Sequence, residues 1–285
     1  MKHISMTNYG LSALFLFCAA CTAEPMTSST GQLELRRGAT SLDPPPPPET
    51  DTAPAPQAIA PGAKRVGYYD MSLGRGQNYE VPPIAAAGGA AIAIDDPSAV
   101  ELANLDVLTV TNPGNAGYGS GYVNRLSEIT AAVQNGMILV IHDRFVAGAA
   151  AILPAGTGFA FVRSFTEGSD INIHDSSTQI TAGLNDTSLD GGLFSSHGFA
   201  IDGSLPAGAK LILSTMISSH IVTFCYGVGK GAVIYSTIPL DFYLQGLDGG
   251  GAVHAGMVNV YAPNVVTYAL AGACARPAGP RPTPN

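Results

Sequence analysis

Three consecutive ionisable residues, His142, Asp143 and Arg144, directly follow a short apolar segment of the chain. That segment, residues 137–141, comes after the turn-forming Gly136. A run this short and this apolar predicts a strand buried on both faces, as in a parallel sheet. Because ligands bind outside the carboxyl ends of such strands, we expect the three ionisable side chains to lie at a binding crevice.

The residue types in this triplet indicate acid–base chemistry. A histidine beside a carboxylate titrates near neutral pH, which suits proton transfer, so His142 and Asp143 are candidate catalytic residues. Arg144 is a candidate for binding an anionic group, since its guanidinium matches the geometry of a carboxylate or phosphate. The alternative role for Asp143 is to cap the helix that follows.

Further binding candidates are polar and aromatic residues near predicted strand ends. Tyr69 and Asp70 close the first predicted strand, and Tyr118 lies in a loop rich in Gly and Tyr, where a ring could stack on a sugar or peptide. His197 is a further candidate, for which the simpler interpretation is a strand-end histidine hydrogen-bonded to the backbone. The histidines are too scattered to define a metal site by spacing, and no cofactor is predicted.

Alternating strands and helices must position these residues. The pattern predicts strands at 64–70, 90–94, 105–111 and 137–141, with helices at 98–102 and 120–134 and loops at 71–89 and 147–158. Further strands are predicted at 159–165, 193–201 and 210–215, then a hairpin of 221–226 with 231–237, and a closing helix at 258–270. This order predicts an α/β fold with a mostly parallel central sheet and a C-terminal hairpin.

The composition excludes one class of partner. The chain of 285 residues has a net charge of −8, and 12% of its residues are charged. Binding to a nucleic acid needs a basic face, and the sequence contains no cluster of Lys and Arg beyond Arg36-Arg37. We therefore expect no nucleic-acid partner.

The N-terminus resembles a bacterial lipoprotein signal. Lys2 and His3 precede an apolar core too short to span a membrane, which leads into Phe17-Cys18-Ala19-Ala20-Cys21-Thr22. This pattern predicts a signal peptide at 1–20 and lipidation at Cys21, with the outer membrane as the destination because Thr22 is not Asp. Cys18 stands where an aliphatic residue is usual, so cleavage without lipidation, giving a secreted protein, is the alternative.

Composition also divides the rest of the chain. Residues 21–63 are rich in Pro, Ser and Thr, include the run 44–48 of five prolines, and are predicted to form a disordered tether. A folded domain is predicted at 64–272 and a disordered Pro-rich tail at 273–285. The domain region and tail retain Cys225 and Cys274; an oxidising compartment permits a disulfide between them, but two separate buried thiols are the simpler interpretation.

Three stretches of the predicted domain resemble one known family. They are the Asn135-Gly136 turn with its strand and His142, then His174 with Ile180-Thr181-Ala182-Gly183-Leu184, and last Tyr226-Gly227-Val228-Gly229-Lys230-Gly231. In this order they resemble the trehalose-utilisation-protein-like branch of the class I glutamine amidotransferase-like fold. The resemblance spans roughly residues 64–272 and implies a flavodoxin-like three-layer sandwich.

The resemblance also bears on activity. Glutaminases of this fold place a nucleophilic Cys on the turn after the strand that corresponds to 137–141, whereas this chain has neither Cys nor Ser there. We therefore expect an exported, lipid-anchored binding or interaction module for an unknown small molecule or envelope component. The alternative is an enzyme acting on a sugar or sugar derivative through His142 and Asp143.

Overall fold

The computed structural model describes residues 62–191 and 195–274. The predicted domain at 64–272 therefore falls almost entirely within the described part. The predicted signal peptide, Cys21, all but the last two residues of the predicted tether, and residues 275–285 of the predicted tail lie outside the described residues.

Ten strands form one sheet in the described part of the chain. In chain order they are β1 (Arg65–Asp70), β2 (Ala90–Ala93), β3 (Val107–Asn112), β4 (Ile138–Asp143), β5 (Phe161–Arg163), β6 (Asn172–Ile173), β7 (Gly198–Ile201), β8 (Lys210–Ser214), β9 (His220–Val228) and β10 (Gly231–Ser236). The order across the sheet is β2-β1-β3-β4-β10-β9-β7-β5, with β8 also paired to β9 and β6 to β8.

The first half of the sheet is parallel. β2, β1, β3, β4 and β10 all run in one direction, so that Ile141 pairs with Val110 of β3 on one side and Tyr235 of β10 on the other. This is the 2-1-3-4-5 order of flavodoxin-like folds, with β10 as the fifth strand. The predicted mostly parallel sheet is confirmed.

The second half of the sheet is antiparallel and begins at the predicted hairpin. β9 and β10 pair antiparallel around Gly229, which has a φ of 61° in the left-handed region that glycine adopts readily. The hairpin is confirmed, but it is central rather than peripheral because β10 lies between β4 and β9. β7 and β8 both pair antiparallel with β9.

Helices cover both faces of the parallel half. They are α1 (Val81–Ala86), α2 (Ala99–Leu102), α3 (Ser120–Asn124), α4 (Leu126–Asn135), α5 (Leu240–Leu244), α6 (Ala252–Ala255) and α7 (Ala262–Leu270), with a π-helical segment, Gly256–Tyr261, joining α6 to α7. Residues of α1, α5 and α7 pack in a first core, and residues of α2, α3 and α4 in a second core on the other face. The predicted three-layer sandwich is confirmed. None of the helices in the described residues has the length and apolar character needed to cross a bilayer.

Strand β4 shows how one sequence run serves both cores. Ile138 and Val140 belong to the first core, whereas Leu139 and Ile141 belong to the second. Successive side chains on a strand point to opposite faces, so a strand with helices on both sides needs an apolar residue at every position.

Some helices differ from the prediction. α1 occupies part of the predicted loop at 71–89, because its prolines fall in the first helical turn, where proline is tolerated. The predicted helix at 120–134 is two helices, broken at Arg125, which has φ −101° and ψ 4°. The guanidinium of Arg125 pairs there with Asp96 at 2.6 Å and Glu128 at 2.7 Å. The closing helical segment begins at Ala252, earlier than predicted.

Cys225 and Cys274 are joined in a disulfide. Cys225 is fully buried in β9, and the two Cα atoms lie 5.9 Å apart, within the usual range. The simpler interpretation of two separate thiols is therefore wrong. The bridge fastens the segment that follows α7 to strand β9 of the sheet.

Candidate functional site

A cleft of about 520 Å³ lies beyond the carboxyl ends of β3, β4 and β10. Its lining consists of two guanidinium groups, an imidazole, an amide and three apolar side chains: Arg144, Arg163, His197, Asn115, Phe165, Phe242 and Leu247. This volume is typical of small-molecule sites. Among the described residues no carboxylate lines the cleft, so it is basic within a chain whose net charge is −8.

Arg144 enters the cleft from the loop after β4. Its Nε lies 3.2 Å from Oδ1 of Asp241, at the start of α5, and its Nη1 donates to the carbonyl of Pro113 at 3.4 Å. Its guanidinium carbon lies 5.3 Å from the centre of the Phe242 ring, a cation–π distance. Asp241 and Pro113 hold the arginine on its buried side, and the 15% of the side chain that is exposed faces the cleft.

Arg163 enters from the antiparallel half of the sheet, at the end of β5. Its Nη1 donates to the carbonyl of Asn115 at 2.7 Å, and its Nη2 to the Asn115 side chain at 3.3 Å. Its guanidinium carbon lies 5.6 Å from the ring centre of Phe145 and 5.1 Å from that of Phe165. Contacts with the loop after β3 thus help to hold both arginines.

His197 joins Arg144 at the cleft. Its Nδ1 lies 2.9 Å from the backbone carbonyl of Arg144. Because a carbonyl can only accept, Nδ1 must carry the proton. Burial, together with the charges of Arg144 and Arg163, lowers the pKa of His197 to about 4, so the imidazole is neutral at physiological pH. The simpler interpretation of a backbone-bonded histidine is correct, and the same side chain also lines the cleft.

Asp143 is fully buried and organises the loop that carries Arg144. Its carboxylate accepts five hydrogen bonds: from Asn112 Nδ2 (2.9 Å), the Tyr118 hydroxyl (2.9 Å), the Tyr235 hydroxyl (2.8 Å) and the N–H groups of Phe145 (2.8 Å) and Val146 (3.1 Å). Backbone donors two and three residues ahead define an Asx-type turn, close to the alternative capping role. The carboxylate has no position left from which to attack or protonate a ligand.

His142 lies on the opposite face of the sheet from Asp143. Its side chain is buried, with Nε2 3.3 Å from the hydroxyl of Tyr261, and burial lowers its pKa to about 3. The cavity beside it, shared with Glu80 and Leu240, has a volume of about 20 Å³, room for a single water molecule. The expectation that His142 and Asp143 form an acid–base pair at the crevice is therefore wrong, because strand alternation separates them.

The remaining candidates support the edge of the sheet and do not line the cleft. Asp70 is buried and accepts hydrogen bonds from the N–H groups of Ser72 (2.7 Å) and Leu73 (3.1 Å) and from the hydroxyl of Tyr79 (2.8 Å). Tyr69 is part of the second core.

Tyr118 and His174 also lie apart from the cleft lining. Tyr118 is partly buried, and the edge contact of its ring with Phe145 adds to its bond with Asp143. His174, one of the residues that carry the family resemblance, is exposed beside β6.

Two buried acids were not predicted: Asp241, which pairs with Arg144, and Glu80, which interacts electrostatically with Asp241. Burial raises the pKa of Asp241 to about 6 despite the nearby Arg144, and burial also raises the pKa of Glu80 well above its usual range. Asp241 gave only a weak signal, because it lies in α5, several residues beyond the end of β10, whereas Asp143 is the last residue of β4. Arg163 gave no such signal, since it ends a strand of three residues in the antiparallel half.

A second groove, of about 660 Å³, lies at the opposite edge, between α2 and α4. Its two carboxylates are already paired: Asp106 with Lys64 at 2.7 Å and Glu128 with Arg125 at 2.7 Å. It lies at the amino ends of β3 and β4, away from the edge where α/β sheets bind ligands. The cleft with the two arginines is therefore the candidate site.

Comparisons with known proteins give no family. No family model matches the chain, and no curated protein matches it. Among solved structures, it is similar to a cytoplasmic protein from Salmonella typhimurium, with 11% identity, a TM-score of 0.47, and coverage of 72% of this chain and 98% of that one. It is also similar to an exo-beta-1,4-mannosidase from Opitutaceae bacterium strain TAV5, with 14% identity, a TM-score of 0.46 and coverage of 71% of this chain but 36% of the mannosidase.

Proposed function

We propose that this domain is a binding module for a small organic anion, held in the cleft lined by Arg144 and Arg163. The observation that carries the proposal is the convergence of two guanidinium groups, from the parallel and antiparallel halves of the sheet, on one cleft without a lining carboxylate in the described residues. Arginine pairs with carboxylate, sulfonate and phosphate groups through directed hydrogen bonds.

The apolar part of the lining defines the rest of the ligand. Phe165 is 41% exposed and Leu247 60% exposed, and both face the cleft together with Phe242. Burying these side chains against a ligand would contribute roughly 25 cal/mol per Å² of apolar area. The ligand class is therefore an anion that carries an apolar body.

A binding role fits the described chemistry better than catalysis. His142 and Asp143 are buried on opposite faces, and Cys225 is bonded to Cys274 and so offers no thiol. His197 holds its Nδ1 proton against the Arg144 carbonyl, and its lowered pKa of about 4 makes the imidazole a weak base at physiological pH. These findings support a module in which the flavodoxin-like fold holds a ligand without transforming it.

We also propose that the domain is exported and tethered to a membrane through a lipid on Cys21. The sequence of the signal and the proline-rich segment supports this. The Cys225–Cys274 disulfide adds support, because stable disulfides form in oxidising compartments outside the cytosol.

Binding of benzenesulfonate to the purified protein, measured by calorimetry, tests the proposed site. The probe combines an anion with an apolar ring and stays charged at every accessible pH. We expect saturable binding that weakens about tenfold or more in Arg144→Ala and in Arg163→Ala, as charge-assisted hydrogen bonds are lost. Arg125→Ala is the matched control, since Arg125 is tied to Asp96 and Glu128 elsewhere. If the probe does not bind, or if all three variants bind it equally, the proposal is wrong.

A further inference from the structure

Asp241 lies directly behind Arg144, on the side away from the cleft. It is 1% exposed, and Nε of Arg144 is 3.2 Å from its Oδ1. Within the described part of the chain neither oxygen of Asp241 receives a hydrogen bond of ordinary geometry. A buried carboxylate in this condition is stabilised only by the Arg144 charge and the backbone N–H groups at the start of α5.

The other charged groups around Asp241 oppose its ionisation. Asp70, at the end of β1, and Glu80, in the short helix Asn78–Glu80, are both buried on the same side of the site. Asp70 raises the pKa of Asp241, and Asp241 in turn raises that of Glu80. Only Arg144 and the backbone N–H groups at the start of α5 favour the ionised form. The nearby imidazoles of His142 and His197 are neutral at physiological pH.

We propose that the cleft takes up one proton from solvent, onto the carboxyl group of Asp241, when it binds its anionic ligand. This inference rests on the proposed function and adds the residue that sets the charge of the site. Asp241 is a positioning residue, because it acts on the ligand through Arg144 rather than by contact.

The physical reason is the sharing of one guanidinium between two anions. While Asp241 is ionised, its charge balances that of Arg144, and a ligand anion also meets repulsion from the buried carboxylate. Once Asp241 is protonated, the charge of Arg144 acts on the ligand alone. Burial raises the pKa of Asp241 to about 6, so affinity for anions should be higher below pH 6 and should fall as the pH rises through that value.

This coupling predicts that charged and neutral ligands respond differently to pH. An anion whose own charge does not change between pH 5 and 7.5 should bind with a proton, whereas a neutral molecule of the same shape should show no coupling to pH. Benzenesulfonate and benzyl alcohol form such a pair of probes. With the purified wild-type protein we expect benzenesulfonate affinity to be about tenfold higher at pH 5 than at pH 7.5, a typical size for coupling between two sites.

The isosteric variant Asp241→Asn isolates the residue. We expect it to bind benzenesulfonate at pH 7.5 as tightly as the wild type does at pH 5, with no further change between the two values. Asp202→Asn is the matched control, because Asp202 is exposed beside β7 and outside the cleft lining, and it should keep the wild-type pH profile.

Proton uptake by the wild type gives a measurement that needs no variant. Calorimetry at pH 6.5 in two buffers of different ionisation enthalpy should show net protons bound per benzenesulfonate bound. If the probe binds through Arg144 without proton uptake, or if Asp241→Asn keeps the pH dependence, this inference fails while the proposed function stands. If the wild type binds no benzenesulfonate at any pH, both fail.

Discussion

Asp143 and Tyr235, on neighbouring strands of the sheet, are joined by a 2.8 Å hydrogen bond in which the buried hydroxyl donates to the buried carboxylate. Strands β4 and β10 are thereby tied together just where the chain leaves β4 to carry Arg144 to the cleft. The same carboxylate oxygen accepts the N–H of Val146, whose φ of 59° is rare for a β-branched residue. Asp143 therefore fixes the conformation of the Arg144 loop.

Removing this carboxylate should destabilise the fold and weaken the cleft. In Asp143→Ala the donors of Asn112, Tyr118 and Tyr235 lose a charged acceptor, and we expect a loss of about 3 kcal/mol or more in the free energy of unfolding, measured with urea. Asp202→Ala, at an exposed position, should cost less than about 0.5 kcal/mol. An Asp143→Ala protein with unchanged stability would show that these hydrogen bonds do not hold the loop.

His142 should affect the stability of the fold at acid pH and should not affect ligand binding. Its pKa of about 3 in the folded state lies below the usual unfolded value of about 6.5, so the unfolded chain binds more protons between these values. The contribution is fully present above pH 6.5 and is lost as the pH falls toward 3, by up to about 1.4 kcal/mol per pH unit.

Urea unfolding between pH 7 and 4 measures this effect. In His142→Phe the unfolding free energy should change less steeply with pH, by about 1.4 kcal/mol per pH unit, which corresponds to one bound proton. The slope that remains contains the similar contribution of His197. His174→Gln, at an exposed histidine, should keep the wild-type slope. Benzenesulfonate binding at pH 7.5 should be the same in His142→Phe and wild type; a loss of binding with the fold intact would place His142 in the site after all.

The disulfide should contribute substantially to stability. It closes a loop with a sequence separation of 49, for which the chain-entropy relation gives about 4 kcal/mol. We expect the reduced protein, or Cys274→Ala, to lose about 4 kcal/mol of unfolding free energy. Either should therefore unfold at a lower urea concentration than the oxidised wild type. Peptide mapping without reductant should recover a linked pair of peptides containing Cys225 and Cys274. Recovery of both as free thiols would contradict the bridge.

Membrane attachment should depend on one cysteine near the N-terminus. An acyl chain contributes roughly 0.8 kcal/mol per buried methylene, so a multiply acylated Cys21 would hold the protein in a membrane essentially permanently. In detergent phase partitioning we expect the parent and Cys18→Ser in the detergent phase and Cys21→Ser in the aqueous phase. A Cys21→Ser protein that stays in the detergent phase as completely as the parent would exclude this anchor.

The sequence was informative where one local rule determines the structure. Apolar runs ending in polar residues marked β1, β3, β4 and β10, and glycine at 229 marked the hairpin. Strand alternation was available too, and applied to β4 it would have placed His142 and Asp143 on opposite faces. Adjacent residues of a strand place their side chains on opposite faces, so closeness in sequence does not make two side chains neighbours.

The cleft could not be predicted from local patterns, because it depends on contacts between segments that are distant in sequence. Arg144 and Arg163 are brought together by the pairing of β7 with β5 and β9, and no local pattern encodes that pairing. The disulfide likewise needs the path of α7 back to the sheet. Asp241 lies in α5, beyond the predicted strand at 231–237, and its importance comes from the contact with Arg144.

The central place of β10 has a consequence for how the chain folds. The parallel half of the sheet needs β10 beside β4, yet the long segment 144–230 separates the end of β4 from the start of β10. A nascent chain ending before residue 231 can pair β1 to β4 but leaves one edge of β4 without its native neighbour. Closing so long a loop costs chain entropy before any contact repays it, so folding should be slow and should be completed only once β10 has joined β4.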